Sequence, residues 1–523
     1  MSPPLEQRRQ ALTNIWSGCV LRGQTTASSR QGRCLPCRHT DLRHNSAVQA
    51  VLASELQDER GQIAGVGSTI DETDVLELKD LRSSLHARRS PFTFNNNSGG
   101  GFVGDKDVVA LNAVHYESED SSGASCPTGV KDEDGACLML PEYAKRSGPR
   151  SSIYWDPKQV TAAIVTCGGL CPGLNDVVQN IVCALEDYGV ADDRIFGIKF
   201  GLRGFYDRSS KPINLSRHKV DGIHLRGGTL LGTSRGGADV KEIVRRIDLW
   251  GVNMLFVVGG NGGNAAANAI QQQCEVSKVL CAVIGVPKSI DNDILLIDRC
   301  FGFDTAVEEA QRALLAAKVE ASSAYRGLGL VRLMGRSSGY IALNASMASG
   351  VVDVCLIPEI KFSEEMLTEY IVKVMDRKGH AVVCVAEGAG QDMMQAKGGT
   401  DASGNPILQD IGTYLRDHFK QNIPEVDCKY IDPTYMIRAI PTNTTDRILC
   451  KVLGQGAVHG AFAGYTGFTV GLVNTHYVYL PIPVVIQATR TVDPRGRQWN
   501  RLRTTINQPD LHADAVAENA FFS

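Results

Sequence analysis

The densest chemistry in the chain lies in Gly285-Val286-Pro287-Lys288-Ser289-Ile290-Asp291-Asn292-Asp293, whose last six residues hold two carboxylates, a hydroxyl and an ammonium. A carboxylate beside an attacking hydroxyl can take its proton, and a second carboxylate can hold Mg2+. Lys288 can neutralise charge on a phosphoryl group in flight. A structural turn can use Asp-Asn-Asp, but it has no need of Lys and Ser just before it at the end of an apolar run.

Two glycine-rich stretches precede this one. Thr166-Cys167-Gly168-Gly169-Leu170-Cys171-Pro172-Gly173-Leu174-Asn175-Asp176 follows an apolar run and leads into the amphipathic stretch 177–185. Val258-Gly259-Gly260-Asn261-Gly262-Gly263-Asn264 follows another and leads into an Ala-rich stretch. Glycine lets main-chain N–H groups approach a phosphate with no Cβ in the way, and a helix start adds partial positive charge. Neither stretch matches GxGxxG or the P-loop pattern. As a pair facing one crevice they fit a polyphosphate. Arg235 (in GTSRG), Arg336 (in LMGR) and Arg438 (in YMIR) add three guanidiniums suited to bidentate phosphate recognition. Together with the loops they suggest two phosphate subsites.

These groups need a scaffold that brings distant loops together. Short β-branched runs at 162–166, 254–258, 279–285, 328–333, 354–357 and 381–386 alternate with helical stretches, one of them predicted at 304–324 with Asp304 as its cap. Continuous apolar strands separated by helices predict parallel sheets covered on both faces, a doubly wound α/β fold. Functional residues then fall on loops after strand C-termini.

Composition agrees with a soluble α/β protein. The 523 residues are 43% hydrophobic and 21% charged, with a net charge of −3, which disfavours bulk nucleic-acid binding. No apolar run approaches the roughly 20 residues of a membrane span. Residues 1–53 contain seven Arg, no Lys and two acids, and read as an organelle transit peptide or a disordered leader. Residues 54–150 read as a low-complexity extension in which 102–116 and 143–155 can dock on the folded body. Fifteen cysteines fit a reducing compartment: Cys183, Cys355 and Cys384 lie in apolar runs, and the lone CxxC at Cys34–Cys37 lacks the second pair that a zinc site needs.

From about Gly148 to Leu511 the chain resembles the 6-phosphofructokinase family, in particular its plant-type ATP-dependent branch. TCGGLCPGLND, PKSIDND, FGFDTAVEEAQRA, LMGRSSG, AEGAGQD, KYIDPTYMIRAIPTNTTD and AVHGAFAGYTGFTVG carry the resemblance in collinear order. It implies transfer of the γ-phosphoryl of ATP to the 1-hydroxyl of fructose 6-phosphate with Mg2+, in a homo-oligomer (dimer or tetramer). It implies two doubly wound α/β/α domains of similar size with the active site in the cleft between them. A core over 151–512 would divide into interleaved parts near 160–320 and 325–480, followed by a tail at 513–523. Asp291 would be the proton acceptor, with Lys288 and Gly262 completing the catalytic set. Ser289, Ile290, Met334, Gly335, Arg336 and Glu387 would hold the sugar phosphate, and Tyr435, Met436, Ile437 and Arg438 would close over it. Gly169, Arg235, Gly236, Gly260, Asn261, Gly262 and Gly263 would cradle ATP, and Asn261 and Asp293 would face the metal.

Where most of that family has Gly-Gly-Asp-Gly-Thr, this chain has Gly259-Gly260-Asn261-Gly262-Gly263. Asn is a neutral and weaker ligand for a hard cation, which keeps open a catalytically weakened regulatory subunit. Gly262 goes with ATP in the family, and Lys288 is shared with pyrophosphate-dependent relatives, so that enzyme is the other alternative. The resemblance places the chain in a plastid, with the cytoplasm as alternative. Cys167 and Cys171, beside a helix start that lowers thiol pKa, are candidates for a redox switch, with Cys126 and Cys137 as alternatives.

Overall fold

The computed structural model describes residues 70–92, 101–114, 140–394, 398–400 and 406–512. The leader 1–53, the tail 513–523, most of the acidic stretch 117–142, and Cys34, Cys37, Cys126 and Cys137 lie outside the described residues. In chain order the strands begin with β1 (Arg88–Arg89), β2 (Val108–Ala110), β3 (Tyr143–Arg146), β4 (Ser152–Ile153) and β5 (Ala162–Thr166). They continue with β6 (Ile195–Ile198), β7 (Ile213–Asn214), β8 (Met254–Gly259), β9 (Ala282–Pro287) and β10 (Gly327–Leu333). The last are β11 (Val354–Leu356), β12 (His380–Ala386), β13 (Asp427–Ile431), β14 (Phe468–Val473) and β15 (His476–Pro481).

Two main sheets result, parallel at their centres as the apolar runs predict and two in number as the resemblance implies. A nine-stranded sheet has the order β2-β3-β15-β14-β9-β8-β5-β6-β7, parallel through its centre and antiparallel at both edges. A four-stranded sheet, β11-β12-β10-β13, is parallel throughout. Along β5, Ala162 and Ile164 enter one apolar cluster while Ala163 and Val165 enter another, so this sheet is buried on both faces. Thr166 pairs with Val258, and Gly259 with Pro287, so β5, β8 and β9 end level. That register is what sets the three chemistry-bearing loops side by side.

Several expectations need correction. The sheets are unequal, nine strands against four, and β14 and β15 at 468–481 return to the first sheet, so a division at 325–480 fails there. The segment 54–150 is not merely low-complexity: β2 and β3 extend the large sheet, and Leu76 and Leu78 are buried. Docking of 102–116 and 143–155 was expected; burial within 70–92 was not. The strand expected at 279–285 starts at Ala282, because the helix Asn261–Val276 ends with Lys278 in a left-handed conformation and Val279 N–H bonded to Cys274 C=O. The helix expected at 304–324 spans Phe303–Ser323 and is not capped by Asp304. Gly302 precedes it at φ +87°, and the buried Asp446 carboxylate accepts from Thr305 N at 2.7 Å.

Candidate active site

A cleft of ≈ 420 Å³ lies at the C-terminal ends of β5, β8 and β9, with the loop after β10 on its other side. It brings together Gly169, Arg235, Gly236, Gly260, Asn261, Gly262, Gly263, Lys288, Ser289, Ile290, Asp291, Asp293, Arg336 and Arg438. Parallel strands with level ends produce this gathering, since each feeds its loop into the same crevice.

Gly168 has φ +85°, and a Cβ there would stand 3.2 Å from Lys288 Nζ, so the turn after β5 requires glycine. Lys288 crosses to this loop and donates to Gly169 C=O at 2.8 Å. Burial pulls its ammonium below the usual lysine range, with Arg438 pushing the same way and Asp291 opposing. Across the cleft floor the helix Asn261–Val276 begins at the second glycine loop. A Cβ on Gly262 would meet nothing within 4 Å, so this helix start presents bare backbone to the cleft.

Asp291 is the electrostatic centre. Burial raises its carboxyl, the charges of Asp293 and Glu387 raise it further, and Arg438 and Lys288 oppose them, leaving it at about 7. Its Oδ1 is buried without a hydrogen-bond partner. A carboxylate tuned near neutrality, with one unengaged oxygen, suits a general base. The loop is held independently of that oxygen: Asn292, at φ +57°, donates to Asp298 C=O at 2.9 Å and accepts from Cys300 N at 2.7 Å, and Ser338 Oγ donates to Asp291 C=O at 3.2 Å. Asp293 is also raised by burial, and it accepts from Ser289 Oγ and, at 3.1 Å, from Asn261 Nδ2.

That arrangement bears on a divalent cation. Asn261 Oδ1 is buried and unpartnered beside Asp293, whose carboxylate oxygens keep lone pairs beyond the two bonds they accept. Hard oxygens of this kind fit Mg2+ shared with phosphate oxygens and water. Among the described residues no group of three or more His, Cys, Asp or Glu side chains could hold a metal by itself.

Met334, Gly335, Glu387, Tyr435, Met436 and Ile437 stand apart from the cleft wall. Met334 is buried and its Sδ accepts from Arg438 Nε at 3.1 Å, so its side chain backs the arginine. The Ile437 side chain is also buried and belongs to the core. Tyr435 and Met436 are 82% and 74% exposed on the short helix Thr434–Arg438. Gly335, at φ +133°, shapes the turn after β10, and Arg336 Nη1 reaches Pro406 C=O at 2.7 Å. Glu387, just after β12, lies outside the wall but acts on Asp291 through its charge.

The residue types missed a second support. Arg490 N donates to Asp293 C=O at 2.9 Å and Arg490 Nη1 to Ile297 and Asp298 carbonyls at 2.7 and 3.0 Å, while Thr489 lines the cleft. Nothing in local spacing marks a strap nearly 200 residues away. The lowered thiol pKa expected at this helix start is not found. Cys167 and Cys171 are free and buried, and burial pushes both up to about 12, outweighing the nearby Lys288. Cys171 Sγ faces Phe301 C=O at 3.3 Å.

Residues 161–461 match the family model described as Phosphofructokinase. ATP-dependent 6-phosphofructokinase 5, chloroplastic, of Arabidopsis thaliana is 53% identical over 418 residues, covering 79% of this chain and 76% of the relative. The ATP-dependent 6-phosphofructokinase of Borreliella burgdorferi is 42% identical over 426 residues, covering 78% of this chain and 91% of the relative. Among solved structures, the pyrophosphate-dependent phosphofructokinase from Marinobacter aquaeolei superposes with a TM-score of 0.57 at 19% identity, covering 68% of this chain and 92% of that one. This last likeness shows the fold.

Proposed function

The chain belongs to the phosphofructokinase family, and from that premise we propose that it transfers the γ-phosphoryl group of ATP to the 1-hydroxyl of fructose 6-phosphate, giving fructose 1,6-bisphosphate. The observation that carries this reading is the Asp291 carboxylate, held at about 7 with Oδ1 unengaged at the junction of two phosphate-suited loops. ATP phosphates lie against backbone N–H groups of Gly169 and Gly260–Gly263, with Arg235 reaching them from the rim. Arg336 and Arg438 take the sugar phosphate, and Glu387 accepts from sugar hydroxyls. Asp291 removes the proton of the 1-hydroxyl as its oxygen attacks phosphorus, and ADP leaves. Lys288, already turned towards the first loop, offsets charge on the transferring group. Mg2+ bound with ATP supplies further charge neutralisation, and Asn261 Oδ1 with Asp293 would hold it.

Purified protein is assayed for fructose 1,6-bisphosphate with ATP or pyrophosphate as donor. We expect turnover with ATP, and Asp291→Asn to lower kcat by about 10²- to 10⁴-fold with a modest change in KM. Faster turnover with pyrophosphate would transfer the chain to that donor class. Inactivity alone with Mg2+ and ATP would favour a regulatory subunit. We further propose a homo-oligomer, dimer or tetramer, and a plastid location. The relatives named chloroplastic and the arginine-rich leader support that location. Cytosolic fluorescence of residues 1–60 fused to a fluorescent protein would refute it.

A further inference from the structure

Strand β10 is Gly-Leu-Gly-Leu-Val-Arg-Leu, and its single polar residue is Arg332. The Arg332 side chain is 18% exposed, and its guanidinium is divided between two neighbours. Nη2 donates to Glu387 Oε2 at 3.1 Å, Nη1 to Asp432 Oδ2 at 2.6 Å, and Nε lies 3.9 Å from Asp410 Oδ1. Glu387 follows β12, which pairs with one edge of β10; Asp432 follows β13, which pairs with the other. The guanidinium on the middle strand therefore clamps the loops of both flanking strands.

Each clamped group leads to the sugar side of the cleft. Glu387 is the carboxylate assigned to sugar hydroxyls. Asp432 Oδ1 accepts from Thr434 N at 3.0 Å and Thr434 Oγ1 at 2.6 Å, fixing the start of the short helix that ends in Arg438. We propose that Arg332 is a positioning residue that sets affinity for the phosphorylated sugar by holding Glu387 and the Asp432 turn in place. The proposal rests on the phosphofructokinase reading of the site. Its physical content is geometric and electrostatic. A planar guanidinium holds two carboxylates in fixed directions, whereas an ammonium is a compact charge on a flexible stem that fixes neither direction. Without that cation, Glu387 and Asp432 would lose their charge partner near a dianionic substrate, while Asp410 keeps the bonds it accepts from Gly412 and Thr413 N–H groups.

The test compares wild type, Arg332→Lys, Arg332→Leu, Glu387→Gln and the double variant Arg332→Leu/Glu387→Gln. Initial rates are measured with each substrate varied, fructose 6-phosphate binding by calorimetry, and folding by thermal melting. Arg332→Leu should raise KM and Kd for fructose 6-phosphate by about 10- to 100-fold, while KM for ATP stays within about twofold. Arg332→Lys should fall between, and it serves if the leucine variant does not fold. Glu387→Gln should cost less in the Arg332→Leu background than in wild type, because the two share one interaction. A scaffold role alone would lower the melting temperature and leave the sugar KM unmoved, or would shift both substrates equally. Either result, or strictly additive effects, overturns the proposal. Wild type that binds fructose 6-phosphate without turning over sinks the kinase reading, and the calorimetric comparison still decides Arg332. Wild type that does not bind the sugar sinks both.

Discussion

Replacing Gly262 by Asp isolates what the second glycine loop does. A Cβ at 262 meets no atom within 4 Å, so the new side chain enters open cleft without steric cost. The position lies in the first turn of the helix Asn261–Val276, where a carboxylate interacts favourably with the helix dipole by about 0.3–1 kcal/mol. Removing glycine from a helix adds about 0.5–1 kcal/mol. Folding should therefore hold or improve. Binding of the donor should not. A carboxylate about 5 Å from one phosphate charge costs about 3 kcal/mol at an effective dielectric of 20, equivalent to about 150-fold in affinity. Rotation of the side chain towards solvent lowers this, so KM for ATP should rise between about 10- and 150-fold. The Gly262→Ala variant separates crowding from charge and should stay close to wild type in both substrates. The assay is KM for ATP and for fructose 6-phosphate, with a melting temperature for each variant. A Gly262→Asp enzyme that folds and keeps its KM for ATP within twofold would refute the placement of donor phosphates at this helix start.

Three further outcomes follow from the same geometry. Burial, then Asp293 and Glu387, hold Asp291 raised at about 7, so catalysis should be lost as pH falls through 7, whereas the stability contribution of this group is present below its ordinary 3.8 and lost as pH rises through 7. Asp291→Asn should then melt higher than wild type at pH 8, and an unchanged melting temperature would contradict the burial argument. Native protein treated with iodoacetamide at pH 8 should leave Cys167 and Cys171 unmodified, and unfolding in urea should expose both; rapid native alkylation read by mass spectrometry would restore them as reactive thiols. Asn261→Asp removes the N–H that binds Asp293 and sets two carboxylates side by side, so without divalent cations its melting temperature should drop and Mg2+ should recover it; indifference to Mg2+ would count against oxygen ligation there.

The parts of the site legible in sequence are those whose signal is local. Glycines after β-branched runs marked the ends of β5 and β8, and Lys288, Ser289, Asp291 and Asp293 declared themselves by density of charge. What stayed hidden depends on distant partners. The cap of the helix Phe303–Ser323 is supplied by Asp446, so Asp304 was a reasonable but wrong reading of the nearest acid. Strands β2 and β3 are three and four residues long, too short to show alternation; β3 takes its place from pairing with β15, and β2 from pairing with β3. Ile437 shares a short motif with exposed Tyr435 and Met436, and only packing separates the three. The expected lowering of the thiol pKa failed for a related reason: the helix-start effect is local and visible, whereas the desolvation that outweighs it is not.

Asn261 shows why a departure from a family pattern cannot be scored residue by residue. Read alone, Asn in place of Asp removes a negative ligand and weakens a cation site. In the folded chain the same carboxamide does two things that a carboxylate cannot do together. Its Nδ2 satisfies Asp293 at 3.1 Å, and its Oδ1 remains buried and unengaged, turned towards chemistry that needs an oxygen. Asp293 in turn accepts from Ser289 and carries the carbonyl to which Arg490 donates, so one side chain ties the second glycine loop to the loop after β9 and its distant strap. An Asp at 261 would confront Asp293 with a like charge and depend on a cation to stand between them. The asparagine makes the loop self-supporting before any ligand arrives. That preorganised state leaves Asp291, and not Asp293, with the free oxygen at the centre of the cleft.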